Sequence, residues 1–151
     1  NLLRQKIHNK HTAPFIDDFV VKPEFLSKVL PEVNNLIKQY PGFMYTIAGH
    51  VGDGNFHIIP LVDISDPKIR RTIPILAQQV YELIHEYSGS ITGEHNDGLI
   101  RTPYLKLMYG ETIVKLFEET KKIFDPQNIF NPRKKVFGDL DFAMSHIRQN
   151  W

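Results

Sequence analysis

Cysteine is absent from this sequence of 151 residues, which excludes a disulfide scaffold, a thiolate nucleophile and any zinc site built on sulfur. A metal bound here must be held by histidine and carboxylate. An excess of one charge is also missing: 18 Lys and Arg stand against 17 Asp and Glu, a net charge of +1. No stretch is basic enough to track phosphates, so nucleic acid is not an expected partner. No run approaches the roughly 18 apolar residues that a membrane span needs. No apolar stretch of about 7–15 residues follows a basic start, as a signal peptide would require. What is present is ordinary, 42% hydrophobic and 23% charged residues, and suits one soluble globular domain.

The chain opens on Asn1 rather than Met, and Leu2, Leu3 and Ile7 read as the apolar side of a helix already under way. This points to a piece of a longer protein. The aromatic and β-branched run Phe15-Ile16-Asp17-Asp18-Phe19-Val20-Val21 predicts a strand. Leu26, Val29, Leu30, Val33, Leu36, Ile37 and Tyr40 then recur at three and four, predicting a helix that Pro31 kinks or divides and Pro41-Gly42 ends. A second helix is predicted from the N-cap Asp66 and Pro67 to a stop at Gly89, with a kink at Pro74. A third runs from about Glu111 to Phe124, with Ile113, Leu116, Phe117, Thr120 and Phe124 on one side. Two β segments flank Asp53-Gly54, and Ser90-Ile91-Thr92-Gly93 forms another. This order predicts an α+β fold, an antiparallel sheet with helices packed on one face.

Asp53-Gly54 between apolar alternations is a hairpin signal. As a two-residue loop it places Val51 across from Phe56 and His50 across from His57. Opposed Cβ atoms lie about 4.5–5.5 Å apart, within reach of one metal. Val51, Phe56, Ile58 and Ile47 then form a core face, and Ala48 and Gly52 leave room beside the imidazoles. Two surface histidines fit the same pattern, and a pair is an incomplete catalytic site, which usually has three protein ligands. In Gly89-Ser90-Ile91-Thr92-Gly93-Glu94-His95, glycines precede an adjacent carboxylate and imidazole. Glu94 could complete a His-His-Glu set while His95, pointing the other way, serves as general base or acid. An exposed turn with a Glu94–Arg101 ion pair is the other reading of that segment.

These two segments, with the closing Phe124-Asp125-Pro126-Gln127-Asn128-Ile129-Phe130-Asn131-Pro132-Arg133-Lys134, stand in the order of motifs in the C-terminal domain of FAD-linked oxidases. The chain resembles that family from about Arg4 to Val136. The family includes D-lactate dehydrogenases, the glycolate oxidase D subunit and D-2-hydroxyglutarate dehydrogenase, flavoproteins of the vanillyl-alcohol oxidase type.

The resemblance implies a ferredoxin-like cap domain over residues 1–137, a C-terminal tail over 138–151, and a separate N-terminal FAD-binding domain outside this sequence. The cap alone is then expected to be inactive. It implies oxidation of a small 2-hydroxy acid to the 2-oxo acid, with a divalent metal, zinc first and manganese or iron as alternatives, held by His50, His57 and Glu94. His95 would take the hydroxyl proton as hydride passes to FAD. Arg4 is placed like a substrate-binding Arg of some relatives, whereas Ile16 stands where they have Lys. Asn131 and Lys134 would lie near the flavin. Asn96 and Arg133 stand where many relatives have Gly. Self-association of the cap, and a location in the cytoplasm or at the inner face of a membrane, are further expectations. The rival reading is a non-catalytic binding or assembly module.

Overall fold

The structure is a computed structural model that describes residues 6–149. These residues form two compact units, one comprising residues 6–94 with 148–149 and the other His95–Ile147.

The first unit is organised around β5 (Asn55–Val62), which is buried at every position except His57, where it is half-buried. Its continuous apolar run is that of a strand covered on both faces. Three strands pair with it antiparallel: β2 (Lys10–Thr12), β3 (Phe19–Val20) and β4 (Met44–Ala48). β1 (Lys6–Ile7) extends the sheet through β2, with Ile7 opposite Lys10 across a tight His8-Asn9 turn in which His8 is left-handed. Ile7 therefore lies on a strand, not on the expected helix; Leu2 and Leu3 lie outside the described residues.

β3 is shorter than the predicted strand because Asp18 sits at φ +69° and breaks the extended run. Of the segment Ser90–Gly93, only Ser90 bridges to the sheet, at Val20.

Two helices complete this unit. α1 (Leu26–Lys38) buries Leu26, Val29, Val33 and Ile37, and α2 (Pro67–Glu86) buries Ile69, Ile73, Leu76, Ala77, Val80, Tyr81 and Ile84. Pro31 and Pro74 lie inside these helices without dividing them. Each proline forfeits one ladder hydrogen bond, and burial of the apolar stripe, about 1.5–3 kcal/mol per large side chain, outweighs that loss. Asp66 caps α2 as expected, its carboxylate accepting the Lys68 N–H at 2.7 Å. The left-handed residue at the other end is Ser88 (φ +53°), not Gly89. Gly89 instead donates its N–H to Ile84 O, closing a Schellman motif.

Tyr81 seats α2 on the sheet. Its ring meets Phe19 edge-on at 5.9 Å, Phe19 meets Phe56 at 5.5 Å, and its hydroxyl donates to Phe15 O at 2.8 Å. The open antiparallel sheet with helices is the α+β arrangement that the element order predicts.

The second unit is helical: α3 (Gly98–Arg101), α4 (Leu105–Phe124) and α5 (Leu140–Ser145), the last capped by Asp139. α4 is broken at Gly110 (φ +70°, ψ 168°), so its longer part begins at Glu111, as expected. Its apolar stripe is not core, however. Ile113, Leu116, Phe117 and Phe124 are exposed while Val114 is buried. Asp125 ties the turn after α4, accepting the Ile129 and Phe130 N–H groups at 2.9 and 2.8 Å and the Lys121 ammonium. Lys121 first, then the two N–H groups, hold this carboxyl below its usual 3.8. A lowered carboxyl favours the folded state above that range and loses its contribution only as pH falls through the lowered value. Exchange protection at Ile129 and Phe130 is therefore expected to persist into acid; protection lost near neutral pH would show that another group holds the turn.

Among the described residues, no helix is long and apolar enough to cross a membrane.

Candidate metal centre

The hairpin between β4 and β5 differs from the expected one. Ala48, not His50, pairs with His57, and Ile47 pairs with Ile58. The connection therefore runs from Gly49 to Gly54, with a 3-10 turn at Val51–Asp53.

Two features select this longer loop. Gly49 (φ +156°) lies so close to β5 that a Cβ there would sit 2.5 Å from Asn55 O, and only glycine fits. The His50 carbonyl then accepts the Asp53 N–H at 2.9 Å and the Asn55 N–H at 3.3 Å. His50 thus leaves the strand, Val51 becomes exposed, and Ile47 lies at the surface rather than in the core. The imidazoles nevertheless meet, with His50 and His57 ring centroids 6.2 Å apart and nearly perpendicular at 86°.

The third group arrives from the turn after the Ser90 bridge. Asp18, fully buried, accepts the Gly93 N–H at 2.8 Å and the Glu94 N–H at 3.0 and 3.1 Å. The Asn55 side-chain amide also donates to Asp18, at 3.1 Å. The contact is tight enough that a Cβ on Gly93 would lie 2.8 Å from Asp18 Oδ1. Held by its backbone, Glu94 places Oε1 at 3.2 Å from His57 Nε2 and 3.6 Å from His50 Nε2.

The donor atoms of His50, His57 and Glu94 all lie within 4.8 Å of one another. Ligands about 2.0–2.2 Å from a tetrahedral ion are about 3.3–3.6 Å apart, close to the 3.2 and 3.6 Å between Glu94 and the two imidazoles, so this set fits one divalent metal. Side-chain exposure is 12% at His57, 50% at Glu94 and 63% at His50, so the site has a sheltered wall and an open face. Behind His57, Asp17 Oδ1 lies 3.0 Å from Nδ1.

A family model described as "FAD linked oxidases, C-terminal domain" matches residues 2–135. The chain belongs to that family. It is 34% identical over 121 residues to D-2-hydroxyglutarate dehydrogenase of Pantoea ananatis, covering 80% of this chain and 12% of the relative. Glycolate oxidase subunit GlcD of Bacillus subtilis is 29% identical over 124 residues, 82% of this chain and 26% of its own. D-lactate dehydrogenase of Anaerostipes hadrus is 34% identical over 118 residues, 78% and 25%. This FAD-linked oxidase domain thus spans about a quarter or less of the relatives it matches.

The remaining sequence candidates are placed as follows. His95 follows Glu94 directly, is exposed, and begins the second unit. Asn131 and Lys134 are exposed on a turn in that unit, with Lys134 N–H donating to Asn131 O at 3.2 Å. Arg4 lies outside the described residues. Ile16 is fully buried in the core.

Asn96 is at φ +66° and Arg133 at φ +61°, the left-handed region that would suit the Gly that the resemblance implies there. Asn tolerates that region well. Arg133 is offset by its guanidinium lying 4.1 Å over the Phe142 ring.

In the sequence Asp17 and Asp18 stand only within a predicted strand. Their signal is two adjacent acids flanked by Ile16 and Phe19, both fully buried. Asp18→Ala strips the Gly93 and Glu94 N–H groups and the Asn55 amide of a buried acceptor, and is expected to cost about 3 kcal/mol or more. Denaturant unfolding measures this; a cost under about 1 kcal/mol would show that water replaces the carboxylate.

Proposed function

We propose that this domain forms the substrate side of a flavin-dependent 2-hydroxy-acid dehydrogenase, with His50, His57 and Glu94 holding a divalent metal. The convergence of their donor atoms at 3.2 and 3.6 Å carries the reading. The relatives' names support the substrate class, since 2-hydroxyglutarate, glycolate and lactate all carry a hydroxyl beside a carboxylate. Zinc, manganese and iron all accept imidazole and carboxylate ligands, with zinc the first candidate. FAD would be held mainly by protein outside this segment, as the 12–26% shares of the relatives allow.

When bound, the metal would polarise the substrate's hydroxyl and carboxylate oxygens, and FAD would accept the hydride from Cα. His57, sheltered on β5, supplies a donor whose ring is fixed. Glu94, backbone-tied to Asp18, supplies the anionic donor. His50 closes the set from its turn. His95 is the proposed base that takes the hydroxyl proton; imidazole suits the role because it exchanges a proton near neutral pH.

The test is anaerobic flavin reduction by the full-length protein with D-lactate, glycolate and D-2-hydroxyglutarate. Bleaching of the flavin by one of them, lost on chelation and restored by zinc, is expected. Reduction indifferent to chelation would remove the metal from the mechanism, and no reduction by any 2-hydroxy acid would leave the assembly-module reading.

A further inference from the structure

We infer that Asp17 is a positioning residue of the metal site, aiming His57 by accepting the proton on its Nδ1. The inference rests on the metal-site reading for its purpose, but its geometry stands on the first unit alone.

A carboxylate accepts hydrogen bonds and cannot donate one. Asp17 Oδ1 at 3.0 Å from His57 Nδ1 therefore assigns the proton to Nδ1. Nε2 faces Glu94 Oε1 at 3.2 Å, and with Nδ1 engaged by Asp17 it is the nitrogen whose lone pair a metal between the two side chains would use in place of that contact. The other acid near this nitrogen is Asp18, whose Oδ1 is farther away at 4.0 Å. Asp18 also already collects the Gly93 and Glu94 N–H groups and the Asn55 amide. The adjacent acids thus divide the work, Asp18 holding the backbone that carries Glu94 and Asp17 turning the ring of His57.

Burial strengthens the assignment. The Asp17 side chain is 7% exposed and that of His57 12%. A carboxylate withdrawn this far from water is costly unless hydrogen-bonded. Its seat is also rigid, because the segment is pinned by the Tyr81 hydroxyl on Phe15 O and by Phe19 in the core. An outer carboxylate so placed fixes the imidazole's tautomer and orientation and raises its strength as a donor.

The experiment compares Asp17→Ala and Asp17→Asn with the unsubstituted full-length protein. Asn keeps an acceptor oxygen of the same reach and is the conservative rescue. Zinc affinity by chelator competition is expected to fall about 10–100-fold in Asp17→Ala and to return most of the way in Asp17→Asn. Independently of metal, ring-¹⁵N spectra of the metal-free, histidine-labelled protein report the protonation of His57, assigned by its absence in His57→Ala. A proton on Nδ1, protected from exchange in the unsubstituted protein and lost to exchange in Asp17→Ala, is expected. An unprotonated Nδ1, or Asp17→Ala binding zinc as tightly as the unsubstituted protein, would overturn the inference. A protected Nδ1 proton in a protein that takes up no zinc would support Asp17's hold on His57 and defeat the metal reading instead.

Discussion

His57→Ala is expected to lower zinc affinity by about 10³-fold or more, since loss of a ligand exceeds the roughly 10–100-fold effect of losing an outer partner. His50→Ala should cost less. His57 stands on the buried central strand, 12% exposed, with its ring already turned by Asp17, so it loses little freedom when it binds. His50 sits on a turn, 63% exposed, and must be ordered by the metal itself. The two substitutions also differ in the metal-free protein. Removing His57 leaves the Asp17 carboxylate buried without this N–H, which costs about 1–3 kcal/mol, whereas His50 can be removed with little change in stability. Chelator competition and denaturant unfolding on the same variants measure both contrasts. If His57→Ala retained stoichiometric, tightly held zinc, the ion would be bound elsewhere and the convergence at Glu94 would be an ordinary hydrogen-bonded cluster.

The proposed metal ligands were legible as residue types, but the geometry that joins them was not. Asp53-Gly54 is a sound hairpin signal, yet the register it implies is displaced because Gly49 presses against Asn55 and the His50 carbonyl gathers the turn. The histidines come together across a six-residue connection rather than as a strand pair. Pairing preferences between neighbours in sequence do not report such a close approach. Asp17 and Asp18 were hidden for a related reason. Two adjacent acids usually mark a solvated surface, and only the approach of His57 on β5 and of the Gly93-Glu94 backbone makes them buried acceptors.

The helices show the opposite balance. Apolar periodicity located α1 and α2 despite their prolines, because burial of a whole stripe outweighs one lost hydrogen bond. The same periodicity located α4 but not what its stripe faces, since period alone does not name a partner and Phe124 is 81% exposed.

His95→Asn in the full-length protein is expected to slow flavin reduction by the 2-hydroxy acid about 10²–10⁴-fold, the range lost with a positioned general base. Zinc content should not change. The reason lies in how the adjacent residues are employed. Glu94 supplies the oxygen on which His50 and His57 converge, and its N–H is tied to Asp18, so the proposed His50-His57-Glu94 set does not call on the next residue. Asn is polar and smaller than His, and cannot accept the hydroxyl proton. Glu94→Gln gives the opposite pattern, because it weakens the anionic donor and should lower zinc content and flavin reduction together. Stopped-flow flavin absorbance with parallel elemental analysis separates the two. A base also shapes the pH profile, so the acid limb of the rate against pH should disappear in His95→Asn. If zinc departs with activity in His95→Asn, His95 is a ligand and the proton is taken by another group. If neither changes, the base lies outside this domain.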